Sequence, residues 1–325
     1  MHIKKSLLDS PLIIALFFAV AILQPSNISA ATCLWVSSYH QGYEWNDGIG
    51  RGIDRTLQEK CEITRFFMDT KRHPGAEFGR KKGLEAFQLV QTLKPDVVIA
   101  SDDNASRYFV KPYLQDAYVP VVFCGVNWSV EEYGYPYNNA TGMVEFAPVM
   151  PLFNEIKRTL RNPSKGLYLS SDVKTEHTDS AKFKTMFAGE GVKVETYFVS
   201  TIDKWEEGYL KGQSYDFIIL GNNGGINDWN KKRALLFALK NAGALTVTNY
   251  DWMMPYAMLA KTKIPDEQGE WAGNVAVEII QGMDPGDIPI VPNRRWNLLV
   301  NMSLLKKAGI KLPQDFLVSA IKVQP

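Results

Sequence analysis

The chain has 325 residues, 46% of them hydrophobic and 22% charged, and its formal net charge is +1. This is a globular balance with enough chain for two lobes, and it excludes a disordered or low-complexity polypeptide. No block of basic residues is present to hold a polyanionic backbone, so nucleic acid is not an expected partner.

Lys4 and Lys5 precede an almost wholly apolar stretch, Pro11 to Leu23, and Ser29-Ala30-Ala31 offers small residues for cleavage. This is the grammar of a secretory signal peptide over residues 1–31, cut near Ala30 or Ala31. It places the mature protein in the periplasm or otherwise outside the cell. The apolar core is shorter than the ~20 residues of a membrane span. An uncleaved anchor is the alternative, as is a lipid on Cys33, for which Thr32 is a poor preceding residue. Removing the segment takes two of the 36 basic and one of the 35 acidic side chains, which leaves the mature chain formally neutral.

Leu34-Trp35-Val36 reads as a first strand, and Ile49, Ile53 and Leu57, four apart, as one stripe of the helix after it. Between them, Ser37 to Gly48 is a long polar and aromatic loop. In a parallel sheet such a loop lies outside the carboxyl ends of the strands, where ligands bind. Glu62 to Met68 is the second strand. A helix from about Glu77 to Leu93 is stopped by Lys94-Pro95. Asp96 to Ala100 is an apolar strand buried on both faces, and Val119 to Phe123 is a fourth. The order βαβαβαβ implies a parallel sheet with right-handed crossovers. Cys33 opens the first strand and Cys61 the second, and neighbouring parallel strands start side by side. The expected pairing is therefore a Cys33–Cys61 disulfide, with two buried thiols as the alternative and Cys124 left over.

Tyr133 to Asn139 breaks the rhythm, and Thr141 to Glu145 reads as an extended link. The pattern then restarts. Leu152, Ile156 and Leu160 mark a helix, Gly166 to Leu169 a strand and Glu176 to Phe187 a helix. Lys193 to Val199, Tyr215 to Leu220 and Ala244 to Thr248 are strands, with a helix from Trp229 to Asn241 before the last. The tail holds an amphipathic helix, Gln268 to Gln281, a proline-punctuated linker, a strand-like run from Trp296 and a short helix from Leu304. The fold class is α/β, with two doubly wound Rossmann-like lobes. Lobe 1 is expected over 32–143 plus about 254–285, and lobe 2 over 144–253 plus about 286–325.

The strand-end loops carry the chemistry. They offer aromatic faces (Tyr39, Trp45, Trp128, Tyr250, Trp252), amides and hydroxyls (Ser38, Asn127, Asn222, Asn223, Asn249) and acids (Asp102, Asp103, Glu145, Asp172, Asp251). Arginine is scarce among them. Acids and aromatic faces suit an ammonium group, so the expected ligand is an amino acid or another small amine. Routine helix capping is the other use of such acids. The chain has no P-loop, no G-x-S-x-G elbow, no H-E-x-x-H and no Cys/His metal spacing. No catalytic residue, metal or cofactor is expected. A His40–Cys124 nucleophile pair is the one enzyme-like arrangement, and a ligand-contacting histidine is its ordinary alternative.

An ordered set of residues carries a resemblance. It comprises Ser37, Tyr39, His40 and Trp45, then Met68-Asp69-Thr70-Lys71-Arg72 and Ser101-Asp102-Asp103-Asn104-Ala105. Gly125-Val126-Asn127, Thr141-Gly142, Asn301 and Ala308-Gly309-Ile310 follow. The set resembles the ABC-transporter substrate-binding proteins of the periplasmic-binding-protein type I superfamily, in the tryptophan/tyrosine-type branch. The resemblance implies two lobes joined by a multi-strand hinge with three crossovers, and a ligand caught by hinge closure. It also implies a membrane ABC permease as partner, or a membrane sensor in the alternative. On this reading a monomer binds through Ser38, Tyr39, His40, Trp45, Asp102, Asp103, Asn127 and Trp128 of lobe 1. Ser171, Asp172, Asn222, Asn223, Tyr250, Asp251 and Trp252 contribute from lobe 2. Thr141, Gly142, Met143 and Val144 form part of the hinge.

Overall fold

The structure is a computed structural model, and it describes residues 31–323. The expected signal peptide lies outside the described residues except for Ala31, which opens the first strand. In chain order the strands are β1 (Ala31–Ser37), β2 (Cys61–Phe67), β3 (Val97–Ser101), β4 (Val121–Asn127), β5 (Ala140–Glu145), β6 (Lys165–Ser171), β7 (Lys193–Val199), β8 (Phe217–Leu220), β9 (Leu245–Thr248), β10 (Leu259–Lys263), β11 (Val291–Pro292), β12 (Trp296–Asn301) and β13 (Ile321–Val323). The helices are α1 (Glu44–Leu57), α2 (Ala76–Leu93), α3 (Asp102–Ala105), α4 (Lys111–Tyr113), α5 (Val149–Thr159), α6 (Lys174–Ala188), α7 (Ile202–Gly212), α8 (Lys231–Asn241), α9 (Pro265–Ile280), α10 (Met302–Ala308) and α11 (Gln314–Ser319).

Two sheets form, in the orders β11-β5-β4-β3-β1-β2 and β13-β12-β10-β9-β8-β6-β7. Neighbours are parallel except for the antiparallel pair β10 and β12. The pleat of β1 sends alternate side chains to opposite faces. Cys33 and Trp35 join Ile49, Ile53 and Leu57 of α1 and Ala272 and Val275 of α9. Leu34 and Val36 pack instead with Ala86 and Val90 of α2 and with Phe109. The second sheet has its own core, in which Phe153, Phe183, Phe187, Trp205 and Tyr209 are the bulkiest members.

The chain crosses between the sheets three times, after Glu145, after Lys263 and after Pro292. The crossings are tied together. Asn293 donates its backbone N–H to the Val144 carbonyl, and its side-chain carbonyl accepts from the Phe146 N–H at 2.7 Å. Glu267 accepts the backbone N–H groups of Arg294 and Arg295. The expected boundaries shift accordingly. Residues 259–263, placed in lobe 1 from sequence, form β10 of the second sheet, and Val291–Pro292, placed in lobe 2, pairs with β5. Thr141, Gly142, Met143 and Val144, the expected hinge residues, are buried inside β5 between β4 and β11. The first crossing begins only beyond them, because β5 pairs with β11 at Met143 and Val144 and with β4 as far as Glu145.

The loop after β1 is shorter than expected, since α1 begins at Glu44 and carries Trp45 in its first turn. Strand β4 runs on to Asn127 through a bulge at Gly125, whose φ of +70° suits glycine. Helix α9 lies against α1 at close range. A Cβ on Gly269 would sit 1.9 Å from the Ile49 carbonyl oxygen.

Cys33 and Cys61 are joined as a disulfide with a Cα–Cα distance of 5.9 Å, and Cys124 is a buried free thiol. The pair lies 28 residues apart in sequence. In the chain-entropy account a loop of that size stabilises by about 3 kcal/mol. A Cys33→Ala/Cys61→Ala double variant should unfold at correspondingly lower denaturant, and wild type should converge on it when reduced. Thiol counting on the denatured, unreduced protein should find Cys124 alone. Three reactive thiols would remove the bond from the account.

Candidate functional site

The carboxyl ends of the two sheets face one cavity of about 160 Å³. The first sheet contributes Tyr39 from the loop after β1, Tyr43 and Trp45 at the start of α1, Asp102 after β3, and Asn127 and Glu145, the last residues of β4 and β5. The second contributes Asn249 to Trp252, which follow β9, and Thr262 and Lys263 at the end of β10. Five aromatic rings thus share the lining with three carboxyl groups and one ammonium.

Asp102 is the most constrained of these residues. It starts α3 with a φ of +70°, a left-handed conformation that side chains rarely adopt, and it is 1% exposed. Strain of this kind concentrates at functional sites. Its Oδ1 accepts the Trp45 indole N–H at 2.8 Å, while its Oδ2 has no partner. Burial pushes its carboxyl well above the ordinary value. The charge of Glu145 adds to this, and the Trp45 hydrogen bond and Lys263 oppose it. Lys263 forms a short ion pair with Glu145, and its Nζ stands 4.9 Å from the Trp45 ring centre. Burial raises the Glu145 carboxyl in spite of that pairing. Asn249, 4% exposed, leaves its side-chain carbonyl without a partner.

The walls are braced from behind. Tyr39 and Tyr43 meet edge to face at 5.3 Å, with the Lys71 ammonium 4.4 Å from the Tyr43 ring centre. Tyr250 lies 4.7 Å from Trp252 and donates its hydroxyl to Glu176 at 2.8 Å. Glu176 is buried and also accepts from the Tyr168 hydroxyl and the Asn222 backbone N–H. Burial raises the Tyr39 and Tyr250 phenols far above their usual values, so both stay neutral.

Of the side chains expected from sequence, Tyr39, Trp45, Asp102, Asn127, Tyr250, Asp251 and Trp252 line the cavity. The others lie elsewhere, for physical reasons. Ser38 is buried and pins β1 to β3, donating to the Ser101 carbonyl and accepting from the Ala105 N–H. His40 points to an outer hollow beside Asp69, Arg72 and His73. Asp103 faces sideways, accepting from the Asn127 amide and the Tyr133 hydroxyl. Trp128 stands between Phe146 and Lys182 of α6, whose Nζ is 3.4 Å from its ring centre. Ser171 is buried at the end of β6, and Asp172 is exposed and paired with His177 at 2.7 Å. Asn222 turns its side chain onto the Gly224 N–H, and Asn223 shares that turn, closed by the Ile226 N–H on its carbonyl. Sequence reasoning missed Tyr43, Thr262 and Lys263, and named Glu145 and Asn249 only among the loop chemistry. Tyr43 stood in plain view in the aromatic loop. Lys263 is joined to Glu145 across 118 residues, a contact without local signal.

No helix among the described residues is long and apolar enough to cross a membrane, and no cluster of metal-ligating side chains occurs among them. No curated protein matches the sequence. Several solved structures share the fold at low identity. A Streptococcus pneumonia ABC domain in complex with L-Trp is 17% identical, with a TM-score of 0.61 over 91% of this chain and 100% of that one. The ligand-free, open form of a Clostridium difficile substrate-binding protein with adhesive properties is 14% identical, with a TM-score of 0.73 over 90% and 99%. An Agrobacterium vitis ABC transporter solute-binding protein with bound D-fucose is 12% identical, with a TM-score of 0.53 over 87% and 100%. These likenesses establish the two-lobed type I periplasmic-binding-protein fold. The model of the ABC transporter substrate binding protein family matches residues 52–324, most of the chain, and the chain belongs to that family.

Proposed function

We propose that the protein captures a small amine-bearing ligand, an amino acid or a close relative, between its lobes outside the cytoplasm and delivers it to an ABC permease. One observation carries the ligand class. Among five aromatic rings, the buried oxygens of the cavity-lining side chains that lack a partner include Asp102 Oδ2, Asn249 Oδ1 and the Thr262 hydroxyl. A buried acceptor left unpaired costs free energy that a ligand N–H recovers. Aromatic faces attract the same cation. A cavity near 160 Å³ is on the scale that takes up one aromatic ring. Ring-sized space, aromatic walls and the L-Trp complex of the Streptococcus domain support placement in the tryptophan/tyrosine-type branch. The three crossings act as the hinge, and ligand contact with both walls shifts the population toward the closed form.

Native mass spectrometry of the purified protein should reveal a co-purified amine. A thermal-shift panel should show stabilisation by amines. Stabilisation by neutral sugars or simple anions, with amines inert, would overturn the reading. Uptake of the identified ligand, lost on deletion of the protein and restored with it, tests delivery.

A pH dependence follows from Asp102. Its carboxyl is raised in the empty site, chiefly by burial, and a bound ammonium favours the ionised form, so binding releases a proton. Affinity is therefore full above the raised value and weakens as pH falls through it. Calorimetry in buffers of different ionisation heat should detect the released proton. A flat pH profile would separate Asp102 from the amine.

A further inference from the structure

The charge set of the cavity makes a finer distinction than amine-bearing. Among the described residues, three carboxyl groups, those of Asp102, Glu145 and Asp251, stand in the wall, and no arginine does. The single cation there, Lys263, is already engaged. It is ion-paired with Glu145, and its ammonium also stands over the Trp45 ring. Glu145 and Lys263 are the last residues of β5 and β10, at the first and second crossings, so the pair joins the two sheets at the hinge. A free amino acid would bring a carboxylate into this wall. That group would find the one ammonium of the wall already paired with Glu145, while its own water was stripped away. A primary amine brings no such group. Its N–H donors suit the buried oxygens that lack partners, among them Asp102 Oδ2, once that carboxyl has released its proton, and Asn249 Oδ1, on side chains 1% and 4% exposed. Its ring meets the aromatic faces.

We infer that the ligand is an arylalkylamine lacking a carboxylate, and that the Glu145–Lys263 pair sets this preference by keeping the only wall cation from a ligand carboxylate. The inference rests on the amine-capturing reading above and narrows it. The pair acts as a specificity device because it satisfies the lysine internally. The binding energy then depends on the donor end and the ring of the ligand alone.

The test is calorimetric titration of the purified, ligand-stripped full chain with matched pairs: phenethylamine and phenylalanine, tyramine and tyrosine, tryptamine and tryptophan. The amino-acid methyl esters, which keep the size and lose the charge, are titrated alongside. In at least one pair the amine should bind at least about tenfold tighter than the amino acid, with the ester close to the amine. Glu145→Gln frees Lys263 and should shift the amine-to-amino-acid ratio toward the amino acid by about tenfold or more, a gain that partial unfolding does not produce. If in no pair the amine binds about tenfold tighter than the amino acid, the inference fails while the amine reading stands. If none of the amines, amino acids or esters binds, the inference fails, and the thermal-shift panel decides the amine reading separately. Should Glu145→Gln fold poorly, the wild-type ratios decide alone.

Discussion

Trp45→Ala should weaken ligand binding by roughly 2–4 kcal/mol, a factor of about 30 to several hundred, while the first lobe stays folded. The indole does three things at once. It forms part of the cavity wall, its N–H holds Asp102 Oδ1 at 2.8 Å, and its face receives the Lys263 ammonium at 4.9 Å. Truncation therefore removes contact area and also releases both charged partners from their geometry. The fold is spared because Trp45 sits in the first turn of α1, while the stripe that buries that helix is Ile49, Ile53 and Leu57. Calorimetry for affinity and circular dichroism for folding separate the two effects. Trp45→Phe keeps a ring and loses the N–H, so its shortfall against wild type measures the Asp102 hydrogen bond. Unchanged affinity in the alanine variant would reduce this stretch to an ordinary strand-to-helix turn.

The largest stability effect is expected at Lys263. Lys263→Met leaves Glu145, whose side chain is 3% exposed, without its partner, and stranding one member of a buried pair costs about 3–5 kcal/mol near neutral pH. The loss should shrink in acid. Burial already holds the Glu145 carboxyl above its ordinary value, and the nearby Lys263 charge is what pulls it back down. Without the lysine the folded carboxyl rises further. Between the unfolded and folded values the folded state then binds more protons than the unfolded one, so stability falls as pH rises through that window. Urea unfolding of variant and wild type at pH 5 and pH 7.5 gives the comparison. An equal loss at both values would mean that Glu145 is not the group left stranded.

What was legible in the sequence was local. The runs at Val97 and Phe217 are buried on both sides, and their unbroken apolar character announced parallel strands. The four-residue spacing of Ile49, Ile53 and Leu57 announced α1. Cysteines near the starts of adjacent parallel strands pointed to one another. Several elements were not read, β10 and α7 among them. Leu259-Ala260-Lys261-Thr262-Lys263 carries two lysines in five residues and looks like a loop. It is a strand, paired with β9 and β12, and its lysines are matched by Glu155 at 2.8 Å from Lys261 and by Glu145 beside Lys263. Helix α7 was passed over although Trp205 and Tyr209 on its inner face are buried, four residues apart. The site divided along the same line. Aromatic and acidic residues flanking strand ends could be named from the chain. Which of them turn inward was decided by partners, as with Asp103 onto Tyr133 and Asp172 onto His177.

The docking of α9 on α1 bears on how the protein is made. Their ion pairs, such as Arg51 with Asp266 at 3.0 Å, join residues 215 positions apart. Until that helix arrives, Trp35 of β1 and Ile49 and Ile53 of α1 lack Ala272, Val275 and Ile279 to cover them. A chain that emerges amino-terminus first must therefore release almost its whole length before its earliest lobe completes its core. Contacts so distant in sequence close slowly. The delay leaves the leading half without part of its apolar cover until residue 280 has come through.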